Sequence, residues 1–133
     1  MTPTELGERL LEFAARVGKL VDALPETRLG RHVAGQLVRC GTSAAPNYEE
    51  GCAAESRADF VHKLSVCVKE LREVKVWLKL IVKAELLPAG RVRDLLDECT
   101  QLGNIVGKSR VTAKRNMGRM DLRGKGGEDR IGN

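Results

Sequence analysis

The sequence predicts an all-α fold, an antiparallel up-down-up-down four-helix bundle followed by a disordered basic C-terminal tail. Apolar residues recur at three- and four-residue spacing in four successive segments, with no strand-like alternation between them. A turn signal closes each segment, so the connections are short and sequential helices run antiparallel. Aromatic residues make up only 3% of the chain against an apolar content of 42%, so the core must be built from seams of Leu, Val, Ile and Ala.

The first helix places Leu6, Leu10, Phe13, Val17, Leu20 and Leu24 on one stripe. Thr2-Pro3-Thr4-Glu5 supplies its N-cap, a proline at the first helical position and a capping-box glutamate. It ends at Leu24-Pro25, because the residue before a proline is pushed out of the helical region. The second helix runs from Glu26 to Cys52 with Leu29, Val33, Leu37, Cys40, Ala44 and Tyr48 inward. Pro46 bends it locally and Gly51 stops it.

Ser56 caps the third helix, whose Phe60, Leu64, Cys67, Leu71, Val74, Leu78 and Ile81 hold a four-three-four-three spacing. Such a seven-residue repeat asks for left-handed, coiled-coil-like contact with its neighbours. At 1.5 Å per residue, a helix of roughly 29 residues is about 43 Å long and sets the height of the bundle. Pro88 and Gly90 make the next connection. The fourth helix turns Val92, Leu95, Cys99, Leu102 and Ile105 inward, while Gly103 and Gly107 mark either close approach of another helix or fraying. Beyond Met117 the chain is Gly-rich and charged. Residues 1–117 therefore read as one bundle domain and residues 118–133 as a flexible charged tail.

A length of 133 residues suits one hydrophobic core. The N-terminus, with Glu5, Glu8 and Glu12, lacks the basic-then-apolar order of a signal peptide, and no apolar run reaches membrane-spanning length. A cytoplasmic protein without a membrane partner is expected. Cys40, Cys52, Cys67 and Cys99 form no C-x-x-C and read as small buried hydrophobes. Charge is unevenly spread. Between Asn104 and Lys125, Lys108, Arg110, Lys114, Arg115, Arg119, Arg123 and Lys125 face only Asp121, so this window carries +6 of a net +5 and the remainder is close to neutral.

Asp59 and His62 have the spacing of a bundle metal pair, but a di-iron bundle needs that element twice, and His32 has Leu29 in the matching place. No metal or other cofactor is expected. Glu49 and Glu50 cannot share a helical face, and no glycine loop is built to cradle phosphate, so the chain does not read as an enzyme. The basic residues Lys108, Arg110, Lys114, Arg115 and Arg119 fit either a solubilising extension or the neutralisation of phosphates on RNA or DNA. With no aromatic residue among them, binding would be driven by charge and shape, without reading bases.

Arg39, Ser43, Asn47 and Glu50 form a polar stripe on the second helix, and Asp59, Lys63 and Glu70 a comparable one on the third; either stripe is also what a solvated face looks like. Together with Gly51, Ser56, Phe60, Leu71 and Trp77 these residues carry a resemblance. The order Ser-x-x-x-Asn-x-x-Glu-Gly followed by Ser-x-x-Asp-Phe resembles the four-helix-bundle proteins encoded by intervening sequences inside bacterial ribosomal RNA genes. Those are distantly similar to accessory proteins of diversity-generating retroelements. The resemblance spans roughly Leu20 to Val106. It implies a homo-oligomer, commonly a pentameric ring, in which the stripes make interhelical or intersubunit hydrogen bonds, with Arg39 and Glu70 as the preferred bidentate pair. With the basic arm and the lack of catalytic motifs, the expected role is that of a non-enzymatic accessory protein whose partner is RNA or DNA, a reverse transcriptase or another protein. A purely structural or protein-binding scaffold is the alternative.

Overall fold

The computed structural model describes the backbone of residues 1–131 and the side chains of residues 1–119. It contains α1 (Pro3–Asp22), α2 (Arg28–Gly41), α3 (Ala44–Cys52), α4 (Arg57–Lys83) and α5 (Ala89–Ile131). α2 and α3 are two halves of one arm, so the five helices form four arms. α1 touches the α2/α3 arm and α5, α4 touches the same two, and α1 and α4 stand diagonally opposite.

Local chemistry starts the helices where the sequence places them. The Thr2 hydroxyl accepts from the Glu5 N–H at 3.1 Å while the Glu5 carboxylate accepts from the Thr2 N–H at 3.0 Å, a complete capping box. Thr27 caps α2 through the Gly30 N–H at 3.0 Å, and Ser56 caps α4 through the Asp59 N–H at 3.1 Å. α4 ends in a Schellman turn: the Glu85 N–H reaches the Val82 carbonyl at 3.1 Å and the Leu86 N–H reaches Ile81 at 3.0 Å. Glu85 takes the left-handed position, φ 56°, that glycine usually fills.

The expected single helix from Glu26 to Cys52 is broken at Thr42-Ser43. Pro46 has no N–H for the carbonyl four residues earlier, and its ring crowds that group. Side chains brace the helix ends on either side of the break: the Thr42 hydroxyl donates to the Val38 carbonyl at 2.6 Å, and the Asn47 amide donates to the Ser43 carbonyl and hydroxyl at 2.8 and 3.0 Å.

The α4 seam from Leu64 to Ile81 is buried throughout, in one core with Leu10, Phe13, Val17, Leu37 and Leu102 from the other arms. Three expected core positions are corrected. Leu29 is 40% exposed, because the first turn of α2 precedes its contact with the core. The seam of α5 steps by four from Leu102 to buried Val106, leaving Ile105 half-buried. Phe60, first in the α4 seam, is also only half-buried. α1 and α2 approach closely at Gly41, where an added Cβ would lie 2.6 Å from Val17 Cγ1.

Three thiols work as buried donors. Cys67 Sγ reaches the Ala44 carbonyl at 3.3 Å and Cys99 Sγ the Leu71 carbonyl at 3.2 Å, which stitches α4 to α3 and α5 to α4. Cys40 donates within α2. Burial pushes all three thiols up to about 12. Cys52, expected to be buried with them, is exposed at the end of α3.

α5 continues as helix to Ile131. Its last buried side chain among those described is Ala113, and Met117 is half-buried. The expected flexible tail begins one residue later. Its side chains beyond Arg119 lie outside the described residues.

Gly41→Ala is expected to cost about 1–3 kcal/mol, because Val17 is β-branched, fully buried and cannot swing aside. A melting temperature equal to that of the unaltered protein would show that α1 and α2 can separate freely. The buried thiols also set an alkaline limit. Each thiol loses its proton near pH 9 in the unfolded chain and near 12 in the folded one, so between those values the folded state holds the extra protons. Stability is fully present below pH 9 and falls above it by about 1.4 kcal/mol per pH unit for each thiol. Circular-dichroism melts across pH 7–11 should show this fall, and Cys99→Ala should make it shallower.

Candidate nucleic-acid interface

α4 and α5 lie side by side over much of their length, yet their outer junction is open. Gly103 and Gly107 face it, and a Cβ at either would meet nothing within 4 Å. These glycines mark neither close approach nor fraying, since α5 is unbroken through both. They deepen a groove of about 760 Å³ floored by Val68, Leu71 and Cys99.

The rim of the groove is cationic. α5 contributes Lys108, Arg110 and Arg115, and α4 contributes Arg72 and Lys75. No carboxylate lines it, and none of the five pairs with a carboxylate among the described residues. Glu98 of α5 is turned the other way. Arg9 of α1 grips it through two hydrogen bonds of 2.6 and 2.9 Å and also reaches Gln101 at 2.9 Å. That grip holds the Glu98 carboxyl below the usual range. A groove with fixed positive charge and no counter-charge suits a polyanion.

Of the five basic positions read from the sequence, Lys108, Arg110 and Arg115 meet at this groove. Lys114 and Arg119 are exposed but do not line it, although their helical spacing from Gly107 and Arg115 gives them similar faces of α5. Arg72 and Lys75 were missed. The available signal was their spacing of three residues beside the α4 seam, which puts both on the edge nearest α5.

The polar stripes form a second constellation on the opposite side of α4. Arg39 links α2 to α4, with Nη1 3.4 Å from Glu70 and Nη2 bound to Glu73. The expected bidentate pair with Glu70 is therefore a fork shared between two carboxylates, with Gln36 beside it at 3.4 Å. Lys63 reaches Glu50 at 2.7 Å and ties α3 to α4. Within the protomer, Ser43 and Asn47 partner each other across the α2–α3 break, and Asp59 sits in the first turn of α4. His32 meets the Trp77 ring edge-on, with centroids 5.7 Å apart.

Among the described residues no helix is long and apolar enough to cross a membrane, and no three His, Cys, Asp or Glu side chains gather as a metal site would require. The chain matches the family model of the 23S rRNA-intervening sequence protein over residues 5–108. A crystal structure from Bacteroides thetaiotaomicron VPI-5482, of a protein with unknown function from the S23 ribosomal protein family, is similar with a TM-score of 0.74 at 27% identity. That match covers 83% of this chain and 98% of the other. No curated protein matches.

Proposed function

Because the chain belongs to the 23S rRNA-intervening sequence protein family, we propose that it is a non-enzymatic, oligomeric accessory protein that binds RNA or DNA through the groove between α4 and α5. One observation carries this reading: five cations from two helices converge on one groove that no carboxylate lines. Two helices hold the charges in fixed register, as a solubilising extension has no need to do. The role of the groove is phosphate neutralisation, which releases counterions and gives affinity without sequence choice.

Assembly is part of the proposal. Val38 on α2 and Val76 on α4 are exposed at 40% and 62%, apolar surface that a second copy would cover. In a ring, commonly of five subunits as the resemblance implies, several grooves act together, so weak single contacts add by effective concentration.

Replacing Arg72 and Lys75 with Gln should weaken binding to single-stranded RNA as much as replacing Lys108 and Arg110 does, although only the latter belong to the basic window of the sequence. For the unaltered protein, log affinity should fall with log salt at a slope near −0.7 per neutralised phosphate. Fluorescence anisotropy measures both, and a salt-insensitive affinity or full binding by the α4 variant would remove the groove from the reading. Light scattering should give a homo-oligomer that Val76→Glu dissociates while helix content is kept; a monomer before the substitution would end the multivalent reading.

A further inference from the structure

At the α4 start, beside the groove, lies a second cavity of about 380 Å³. Arg57, Phe60, Lys108, Ser109, Thr112 and Asn116 line it. Lys108 and Thr112 border both spaces, so the cavity and the groove are neighbours. The basic window of α5 holds no aromatic residue of its own. α4 supplies one.

Phe60 opens the α4 seam and by spacing alone is a core residue, yet it is half-buried while the next seam positions are closed off. The cause lies on α5. Opposite Phe60 stand Ser109, Thr112 and Ala113, too small to cover a phenyl ring. On the α3 side the ring is held, since its Cδ2 would lie 3.4 Å from a Cβ on Gly51. An aromatic side chain thus faces a cavity whose other walls carry an amide, two hydroxyls and a guanidinium.

Resting on the nucleic-acid reading above, we propose that this cavity is a subsite for one unstacked nucleobase, beside the phosphate groove. Phe60 offers a surface for base stacking, which any base can use. Asn116 carries both a donor and an acceptor for a Watson–Crick edge, and the Ser109 and Thr112 hydroxyls add either. Lys108 stands between the two spaces, placed to hold the phosphate that follows the base. A base inside a duplex cannot enter such a cavity without leaving its stack, so the groove selects single strands and loops over paired segments.

The test compares two fluorescein-labelled twelve-unit ligands on the full chain at low salt: oligodeoxythymidylate and an abasic phosphodiester of the same length. The unaltered protein should bind the thymidylate more tightly by roughly 5- to 150-fold, as one stacked base supplies. Phe60→Leu keeps an apolar side chain at the seam and should bring the two affinities together while leaving abasic binding unchanged. Asn116→Ala, outside the core, should narrow the ratio without touching the fold. Equal affinities in the unaltered protein, a ratio that survives both substitutions, or a paired duplex bound as tightly as the single strand each overturn the base subsite and leave the phosphate groove standing. No binding to either ligand, or displacement of both by polyglutamate at equal charge, overturns the nucleic-acid reading and the subsite with it.

Discussion

α4 buries Leu64, Cys67, Leu71, Val74, Leu78 and Ile81 along one seam, and each neighbouring helix is placed by what it sets against that line. A seven-residue repeat drifts only slowly around a straight helix, so the seam faces the same neighbours for its full length. α5 answers with Val92, Leu95, Cys99, Leu102 and Val106, and α3 with Ala44 and Tyr48. α1 never reaches α4 closely. Its core residues close the far side of the bundle against α2, where Gly41 permits close contact.

The outer edge of the same α4–α5 contact is where the seam has no partner. Gly103 and Gly107 withdraw from it, and at the α4 start Ser109, Thr112 and Ala113 leave Phe60 uncovered. Each choice gives up apolar burial or helix propensity that a larger side chain would have added. The gaps lie on one line, and that line is edged with Arg72, Lys75, Lys108, Arg110 and Arg115. Meanwhile Arg9 engages Glu98 and Gln101 on the α1 side of α5, which keeps the Glu98 charge out of the groove. α5 thereby shows a neutralised face to α1 and a positive one to solvent. The concentration of charge follows from helix geometry more than from the net value of +5.

The caps and the seam of α4 were legible because each depends on residues within a few positions of one another. Thr2 with Glu5, and Ser56 with Asp59, satisfy the open end of a helix whatever lies elsewhere. The break at Thr42-Ser43 was half legible. Pro46 announced a bend, but whether the arm bends or divides depends on packing and on side chains such as Thr42 and Asn47 that bond the helix ends beside the break. Arg39 was matched to Glu70, yet its closer attachment to Glu73 depends on the rotation of α4 relative to α2.

By itself the sequence determined four amphipathic arms, their antiparallel order and a basic fourth arm, since helical period, capping and charge are local properties of the chain. Only the tertiary structure decided that Arg72 and Lys75 join Lys108, Arg110 and Arg115, that Lys114 and Arg119 do not, and that Phe60 belongs to the same line. Those residues are separated by tens of positions. Their meeting depends on the relative rotation of two helices about their axes, which is set by how one seam fits another, and a turn of 100° per residue can carry a side chain from groove to opposite face.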